Sequence, residues 1–301
     1  MTYRTYPGQP DPFSDGGPDY PSTLMQDDIF ALQWLYGADY GYNAGNTRYS
    51  WSQTTGEMKV NGHARNLTDN IFGGFGPNNR IFMTIWDGNG VDTYDFANYT
   101  TVVNADLGPG SWSTPSNGQR ANLGAGHFAR GSIANARVFD GDLHGYIENA
   151  IGGTNNDRLA GNLVNNRLEG RNGVDRISGQ EGNDTLVGGA GRDILDGGTG
   201  RDRFDFDSLL DSGLTATNRD AIGDFTHGQD RIDLSTIDAI TGGANNAFIF
   251  GGAFVAGHIR VVQSGASTVV QINTDADATA ESTILLLNFT ANTLTAADFF
   301  L

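Results

Sequence analysis

Cysteine is absent from the 301 residues of this chain, and only eight residues are proline. Without cysteine the chain can form no disulfide, no zinc–thiolate site and no thiol nucleophile. Its fold therefore cannot depend on covalent links. A chain of this length can instead be stabilised by the hydrophobic core of one large or two modest domains.

Long apolar runs are missing as well. Even runs such as Ile284 to Leu287 are far shorter than the ~20 residues that a membrane-spanning helix needs. Residues 1 to 20 also lack the apolar core of a cleavable N-terminal signal peptide. We therefore expect neither a membrane span nor an export signal of that kind.

Basic residues are scarce relative to acidic ones. The chain has 18 Lys and Arg against 35 Asp and Glu, which gives a formal net charge of -17. Nucleic-acid binding requires a basic surface, so we expect no nucleic-acid partner. Cations are the natural partners of such a chain. Glycine is abundant at 43 residues, and between residues 152 and 205 both glycine and aspartate recur periodically.

A nine-residue repeat fills residues 152 to 205. Six consecutive segments follow the pattern G-G-x-G-x-D-x-U-x, in which U is apolar, and the phase never slips. The segments are GGTNNDRLA, GNLVNNRLE, GRNGVDRIS, GQEGNDTLV, GGAGRDILD and GGTGRDRFD. One copy would be weak evidence, but six in phase are typical of a calcium-binding parallel β-helix, also called an RTX β-roll.

Each position of the repeat has a physical role. Glycines at the first, second and fourth positions are expected to permit positive φ angles, which turn carbonyl oxygens towards an ion. The last three residues form a short strand whose middle side chain points inwards and stacks on its equivalents. These inward residues are Leu159, Leu168, Ile177, Leu186, Leu195 and Phe204.

The sixth position supplies the candidate metal ligands. Two segments make one full turn, so loops two segments apart lie above one another and their Asp side chains share a gap. Calcium prefers six to eight oxygen ligands, which carboxylates and carbonyls supply. The expected pairs are Asp157 with Asp175, Asp175 with Asp193, and Asp184 with Asp202. The glycines that open these loops are counted with them: Gly152, Gly170, Gly179, Gly188 and Gly197.

Two segments depart from the repeat. The second segment has Val164 at the fourth position and Asn166 at the sixth. We expect the site that Asn166 shares with Asp184 to be weak or empty. The first segment has Asn155 at the fourth position, a milder change because asparagine tolerates left-handed φ better than most residues.

The rest of the chain has the pattern of an all-β protein with a small helical entry. Leu24 to Gly37 carries apolar residues at helical spacing and ends on a glycine. Short β-type runs follow from about residue 46, and others occupy residues 247–250, 258–263, 268–273 and 282–289. The expected fold class is therefore all-β: a parallel β-roll of nonapeptide calcium-binding repeats flanked by antiparallel β-sandwich strands, with one short N-terminal helix.

Together these motifs resemble the C-terminal region of serralysins, secreted bacterial metzincin metalloproteases that carry an RTX β-roll. The resemblance includes LQWLYGA, IWDGNGVDTYDF, IENAIGG, the repeats and IGDFTHGQDRIDLS. It implies that residues 1–40 are a remnant of the exit from the protease domain. It further implies that residues 41–301 form the serralysin C-terminal β-roll and β-sandwich domain.

The resemblance also implies metal ligands outside the repeats. Two further calcium sites would precede the roll, formed by Asp87, Asn89, Gly90, Asp92 and Glu148. Asp224, Asp230 and Asp233 would lie at the far end of the roll, where they would cap it or hold ions. Ordinary surface turns are the alternative for these last three residues.

The C-terminus, Asp298 to Leu301, resembles the uncleaved type I secretion signal of this family. The implied partner is a type I (ABC) secretion apparatus, and the implied location is secreted and extracellular. We expect the roll to be disordered at cytosolic calcium. It should fold at roughly 10⁻⁴ to 10⁻³ M calcium, the range of extracellular modules.

The zinc-binding motif of serralysins, H-E-x-x-H-x-x-G-x-x-H, is absent. None of the five histidines has a partner at helical i, i+4 spacing or an adjacent glutamate. Met1 to Tyr3 resembles the Met-turn of the family, which would make Tyr3 an orphaned Met-turn tyrosine. We therefore expect several Ca²⁺ ions, Zn²⁺ only if the missing catalytic part is present, and no catalysis by this chain alone.

Three functions remain open at this point. The first is a calcium-folded module for secretion and stability, which pairs with a protease domain or acts without one. The second is a fragment of a complete secreted zinc metalloendopeptidase. The third is a calcium-dependent extracellular adhesin or carbohydrate-binding protein that uses exposed aromatic residues between positions 34 and 113. A lipase is not expected, because the G-x-S-x-G nucleophile elbow is missing.

Overall fold

The structure is a computed structural model that describes residues 22–65, 79–240 and 246–301. The described residues fall into two compact units, and the division lies between Ala150 and Ile151. Among them, no helix is both long and apolar enough to cross a membrane.

The first unit contains one helix and short strands among the residues described there. The helix α1 spans Gln26–Tyr36. The strands are β1 Arg48–Trp51, β2 Met58–Val60, β3 His63–Ala64, β4 Met83–Ile85, β5 Thr93–Asp95, β6 Asn104–Asp106, β7 Trp112–Ser113, β8 Asn122–Gly124, β9 His127–Phe128, β10 Ile133–Asn135 and β11 Asn149–Ile151. A 3-10 turn spans Asn117–Gln119.

Helix α1 agrees with the helix that the sequence predicts. The backbone N–H of Met25 donates to Asp28 at its start. Gly37 ends it with a φ of +84°, a conformation that favours glycine. Its buried and exposed residues differ from what the apolar pattern suggests, because the polar Gln33 is buried whereas the large apolar or aromatic residues Trp34, Leu35 and Tyr36 are exposed.

The sheets of the first unit mix parallel and antiparallel pairs. Strand β1 pairs antiparallel with β2 and parallel with β5, and β2 continues antiparallel to β3. Strand β10 pairs parallel with β4 and antiparallel with β7, and β8 with β9 forms a hairpin. This arrangement brings the start of β5 beside the start of β1, where the acidic residues that precede β5 lie.

An aromatic cluster forms the core beneath β1 and β5. Its members are Tyr49, Trp51, Tyr94, Phe96 and Tyr99, all at most 2% exposed. Their rings make edge-to-face and stacked contacts, such as Trp51 with Tyr94 at a centroid distance of 5.3 Å. These five rings are therefore not part of an exposed surface. Trp34, Tyr36 and Tyr42, which lie in the range that the adhesin hypothesis uses, are 63%, 83% and 47% exposed.

The second unit contains the repeats. Its first strands are β12 Arg158–Asn162, β13 Arg167–Gly173, β14 Arg176–Glu181, β15 Thr185–Gly191, β16 Ile194–Thr199, β17 Arg203–Asp205, β18 Ala221–Ile222 and β19 Arg231–Asp233. The remaining strands are β20 Ile249–Phe250, β21 His258–Ser264, β22 Ser267–Asn273, β23 Ser282–Leu286 and β24 Phe299–Phe300. Two 3-10 turns span Ala291–Thr293 and Ala296–Asp298.

The repeats wind into two facing parallel sheets. Strands β12, β14, β16 and β18 form one sheet, and β13, β15, β17 and β19 form the other. Leu159 pairs with Ile177 and Ile177 with Leu195, so neighbouring strands of one sheet are two segments apart in the sequence. All six inward residues are at most 2% exposed. The predicted fold class, including the parallel β-roll, is confirmed.

The sheets continue beyond the repeats. Strand β23 adds in parallel to β18 and starts an antiparallel set with β22 and β21. Strand β24, near the C-terminus, adds in parallel to β19. At the C-terminal end of the roll the inward stack therefore continues with further apolar residues in both sheets, with Leu286 beside Ile222 and Phe299 beside Ile232.

Candidate metal centres

A ladder of hydrogen bonds links the sixth positions of successive turns. The backbone N–H of each sixth residue donates to Oδ1 of the Asp one turn further on. The four bonds are Asp157 to Asp175 at 2.7 Å, Asn166 to Asp184 at 2.7 Å, Asp175 to Asp193 at 2.7 Å and Asp184 to Asp202 at 2.9 Å. The structure thus brings together the Asp pairs that the repeat predicts.

The second carboxylate oxygen of this ladder is left without a donor. Oδ2 of Asp175, Asp184, Asp193 and Asp202 is buried and receives no hydrogen bond. Burial raises the pKa of Asp175, Asp184 and Asp193 to about 7, and the charge of other aspartates contributes to the increase in all three. A buried, unpaired carboxylate is unfavourable, so each turn needs a compensating positive charge.

Calcium fits this donor set. The orphaned oxygens are hard ligands of the kind that Ca²⁺ prefers, and backbone carbonyls lie in the same loops. A Cβ placed on Gly170 would lie 2.7 Å from the carbonyl oxygen of Gly188, which shows how closely successive turns approach. These Asp residues and the loop carbonyls would hold the ion, which would neutralise the stacked charge.

The glycines of the repeat have two different roles. In the last four segments φ is positive at the second and fourth positions, for example +87° at Gly189 and +155° at Gly191. The opening glycine, in contrast, is required for space, because a Cβ on Gly188 would lie 2.5 Å from Oδ2 of Asp193. The expectation that the first position also needs a positive φ is therefore wrong. Arg171 and Gln180 adopt a φ of +79° at the second position without being glycine.

Two aspartates beyond the repeats extend the ladder. The N–H of Asp193 donates to Oδ1 of Asp220 at 2.7 Å, and that of Asp202 donates to Oδ1 of Asp230 at 3.0 Å. Burial and the charge of Asp193 raise the pKa of Asp220 to about 9, and its Oδ2 receives no hydrogen bond. Sequence reasoning predicted a role for Asp230 but missed Asp220. The missed signal is the spacing Asp220-x-Ile222, which repeats the D-x-U of each segment.

Asp224 and Asp233, the other two residues predicted at the far end of the roll, are not part of this hydrogen-bond ladder. Asp224 accepts hydrogen bonds from the N–H groups of Gly197 and Gly198, at 2.9 and 2.6 Å, so it covers the opening of the last loop. Asp233 lies on β19 and pairs with Arg203 at 2.7 Å. Its carboxylate is thus already compensated by a cationic side chain.

A second acidic centre lies in the first unit. Oε2 of Glu148 accepts from the N–H of Asp92 at 2.6 Å, and Oδ1 of Asp92 accepts from Thr47 at 2.8 Å. Oδ2 of Asp92 is buried and receives no hydrogen bond. Burial, together with the charge of Asp87, raises the pKa of Asp92 to about 8 and that of Glu148 to about 7. The negative charges of Asp87, Asp92 and Glu148 therefore repel one another, and a bound cation would relieve this repulsion.

Neighbouring residues position this centre. The hydroxyl of Tyr49 donates to Oδ2 of Asp87 at 2.7 Å, and burial raises the pKa of Asp87 as well. Gly90 has a φ of +141°, and a Cβ there would lie 2.7 Å from the carbonyl oxygen of Gly45. Oδ1 of Asn89 accepts from the N–H of Gly90 at 3.0 Å. The roles of Tyr49 and Gly45 were not apparent from the sequence, because both lie more than 35 residues before Asp87 and only the pairing of β1 with β5 brings the two segments together.

A third acidic group lies in the loop between β22 and β23. Carboxylate oxygens of Asp275, Asp277 and Glu281 lie within 4.8 Å of one another. Their hydrogen bonds close the loop itself: Asp277 donates its N–H to Asp275 at 2.9 Å, and Thr274 donates to Glu281 at 2.6 Å. The two aspartates are exposed, so water can solvate their charge.

The remaining candidates are placed as follows. Tyr3 lies outside the described residues. His227 contacts the buried carboxylate of Asp298 at 2.9 Å, and His258 donates to the carbonyl oxygen of Gly251 at 2.8 Å. Burial opposes ionisation of Asp298, but hydrogen bonds from Thr295, Gly228 and His227 outweigh it and lower the pKa. The C-terminal segment is thus held against the loop before β19.

The sequence matches the model of one known protein family. Residues 50–301 match the family model described as Peptidase M10 serralysin C terminal. The chain therefore belongs to the serralysin C-terminal family.

Several curated relatives are similar over most of the chain. It is 40% identical over 224 residues to the metalloprotease AprA of Pseudomonas entomophila, which covers 74% of this chain and 38% of that protein. It is 43% identical over 218 residues to the serralysin of Proteus mirabilis, covering 72% and 38%. The chain thus spans about two fifths of the length of these relatives. A solved subunit of an Azotobacter vinelandii mannuronan epimerase aligns with a TM-score of 0.38 and 32% identity, covering 50% of this chain and 80% of that one.

Proposed function

We propose that this chain is a calcium-binding RTX module of a serralysin-like secreted zinc metalloprotease. Calcium would fold the roll outside the cell, after export in an extended state by a type I secretion apparatus. The chain itself carries no zinc-binding motif of the HExxH type, so it would stabilise and export a protease rather than cleave peptides. Membership of the serralysin C-terminal family supports this proposal.

One observation carries the calcium assignment. Four buried carboxylate oxygens, one in each of the last four loops of the repeat, receive no hydrogen bond. Leaving even one such group uncompensated costs about 1–3 kcal/mol, and more when it is charged. A divalent cation between the turns would remove this cost in each of these loops. The neutral side chains of the loops carry no charge and cannot compensate the carboxylates in this way.

The C-terminal segment would act before folding. Asp298 is fully buried and Phe299 pairs with Ile232 in the completed sheet. A secretion apparatus could therefore read this segment only while the roll is unfolded. Low cytosolic calcium would maintain that state, and extracellular calcium would end it.

The test is a calcium titration of the full chain followed by far-UV circular dichroism. We expect little β signal in EGTA and a cooperative gain at roughly 10⁻⁴ to 10⁻³ M calcium. Magnesium at the same concentration is the control, because it demands a smaller octahedral site and keeps its waters. A full β signal in EGTA would refute the proposal.

A second candidate is that the chain is the C-terminal part of a complete secreted zinc metalloendopeptidase. Two relatives carry metalloprotease or metallopeptidase names, and both are more than twice as long as their aligned segments, which cover 38% and 43% of their length. The discriminating experiment is to sequence the DNA upstream of the codon for Met1. An in-frame HExxH motif would favour the complete protease.

A further inference from the structure

The first two loops of the roll are closed differently from the other four. In the last four loops both the second and the fourth positions have a positive φ, as in Arg171 with +79° and Gly173 with +139°. In the second loop, Gly161 to Asn166, the equivalent residues Asn162 and Val164 do not adopt positive φ. The side chain at the second position can therefore turn into the loop.

Asn162 and Asn166 form a pair inside the second loop, which we call the amide clasp. Oδ1 of Asn166 accepts from the backbone N–H of Asn162 at 2.7 Å. The Nδ2 group of Asn166 donates to Oδ1 of Asn162 at 3.1 Å, and Oδ1 of Asn162 also accepts from Val164 at 3.1 Å. Both side chains are buried, at 2% and 3% exposure.

The first loop has part of the same closure. Oδ2 of Asp157 accepts from the backbone N–H of Gly153 at 2.5 Å, as the side-chain oxygen of Asn166 does from Asn162. Loops three to six lack this bond. There the corresponding oxygens of Asp175, Asp184, Asp193 and Asp202 receive no hydrogen bond. A sixth-position oxygen is thus either bonded to the N–H of the second residue of its own loop or left for a cation. The second loop is closed by more hydrogen bonds than the first.

We infer that the second loop takes no calcium and is a preformed, calcium-independent turn on which the metal-dependent part of the roll is built. Asn166 is neutral, its oxygen is already engaged, and its NH₂ group would oppose a nearby cation. The N–H of Asn166 still donates to Oδ1 of Asp184 at 2.7 Å, so the clasp supplies a fixed hydrogen-bond donor to the first turn above it. This inference rests on the proposed function, because it divides the loops into those that need calcium and one that does not.

The test compares two variants of the full chain with the wild type. Asn166→Ala removes the clasp. Asn162→Gly/Val164→Gly/Asn166→Asp restores the G-G-x-G-x-D pattern. Bound calcium is counted by elemental analysis after equilibrium dialysis, and folding is followed by circular dichroism. Asn165→Asp is the matched control, because it adds the same charge at an exposed position of the same loop.

We expect Asn166→Ala to keep the wild-type number of bound ions. The calcium midpoint of folding should rise roughly two- to threefold, because the loss of a buried hydrogen-bonded pair destabilises the folded chain. The rise should be no larger, because the binding of several ions together opposes that loss. The restored loop should bind one ion more than the wild type, and Asn165→Asp should bind none extra. Loss of an ion in Asn166→Ala would show that Asn166 is a ligand and would overturn the inference. An unchanged count in the restored loop would overturn it as well. A wild type that binds no calcium would instead refute the proposed function.

Discussion

The backbone N–H of Asp175 donates to Oδ1 of Asp193, one turn further along the roll, at 2.7 Å. Oδ2 of both residues is buried and receives no hydrogen bond. Oδ1 of Asp193 therefore fixes the spacing of the turns, and Oδ2 is available as a ligand for a cation. A substitution that keeps the first oxygen and removes the charge should separate these two roles.

Asp193→Asn is that substitution. The amide oxygen can still accept the N–H of Asp175, so we expect the roll to fold at saturating calcium. Because a charged ligand is lost, the calcium midpoint should rise about tenfold and at least one ion should be lost. Circular dichroism and elemental analysis measure the two effects. Glu181→Gln removes a charge from an exposed position of a neighbouring strand and should change neither; equal midpoints in the two variants would contradict the assignment.

The stability of the calcium-free roll should depend on pH. In the folded chain the pKa of Asp175, Asp184 and Asp193 is raised from 3.8 to about 7. The folded state therefore favours the protonated form. This contribution is complete below about pH 4 and is lost as the pH rises through 7. Protein stripped of calcium on a chelating resin should show more β signal at pH 5 than at pH 8, and the opposite order would contradict the burial of these carboxylates.

The inward stack should dominate the stability of the calcium-loaded form. Leu186 is fully buried between Leu168 and Phe204. Leu186→Ala should reduce the free energy of unfolding by about 2–5 kcal/mol in saturating calcium. Val174→Ala, at a position that is 45% exposed, should change it by about 0.5 kcal/mol or less. Urea denaturation measures both, and similar losses would show that the stack is not the core.

The acidic centre of the first unit should bind calcium independently of the repeats. Asp92→Asn keeps an acceptor for the N–H of Thr47 but removes the charge beside Asp87 and Glu148. We expect at least one ion fewer and a higher calcium midpoint in near-UV circular dichroism, which reports the aromatic cluster around Tyr49. Asp106→Asn is the control, because its Oδ1 bond to Gly108 survives the change. Wild-type ion content in Asp92→Asn would exclude this centre as a calcium site.

The nine-residue phase predicted the roll because it constrains the backbone directly. A period of two segments per turn fixes which strands pair, and the inward position follows from the alternation of side chains. The pairing of Leu168 with Leu186, and of Leu186 with Phe204, was therefore accessible from spacing alone. The acidic centre near Asp92 was accessible only through resemblance, since its ligands are distant in the sequence.

The ends of the roll were harder to predict, because the repeat is interrupted there. Asp193 bonds to Asp220, 27 residues on, rather than to a residue 18 further on as within the repeats. The intervening chain from residue 206 to 219 is accommodated as a loop. Spacing also could not reveal the amide clasp, since an Asn at the sixth position is compatible with a weak metal site and only the geometry of Asn162 shows that its oxygen is engaged.

The most direct measurement is an anomalous difference map from crystals of the full chain grown in millimolar calcium. We expect peaks within about 2.3–2.6 Å of Oδ2 of Asp175, Asp184, Asp193 and Asp202. A roll of the same winding whose four oxygens face only water, or face no scatterer at all, would contradict it.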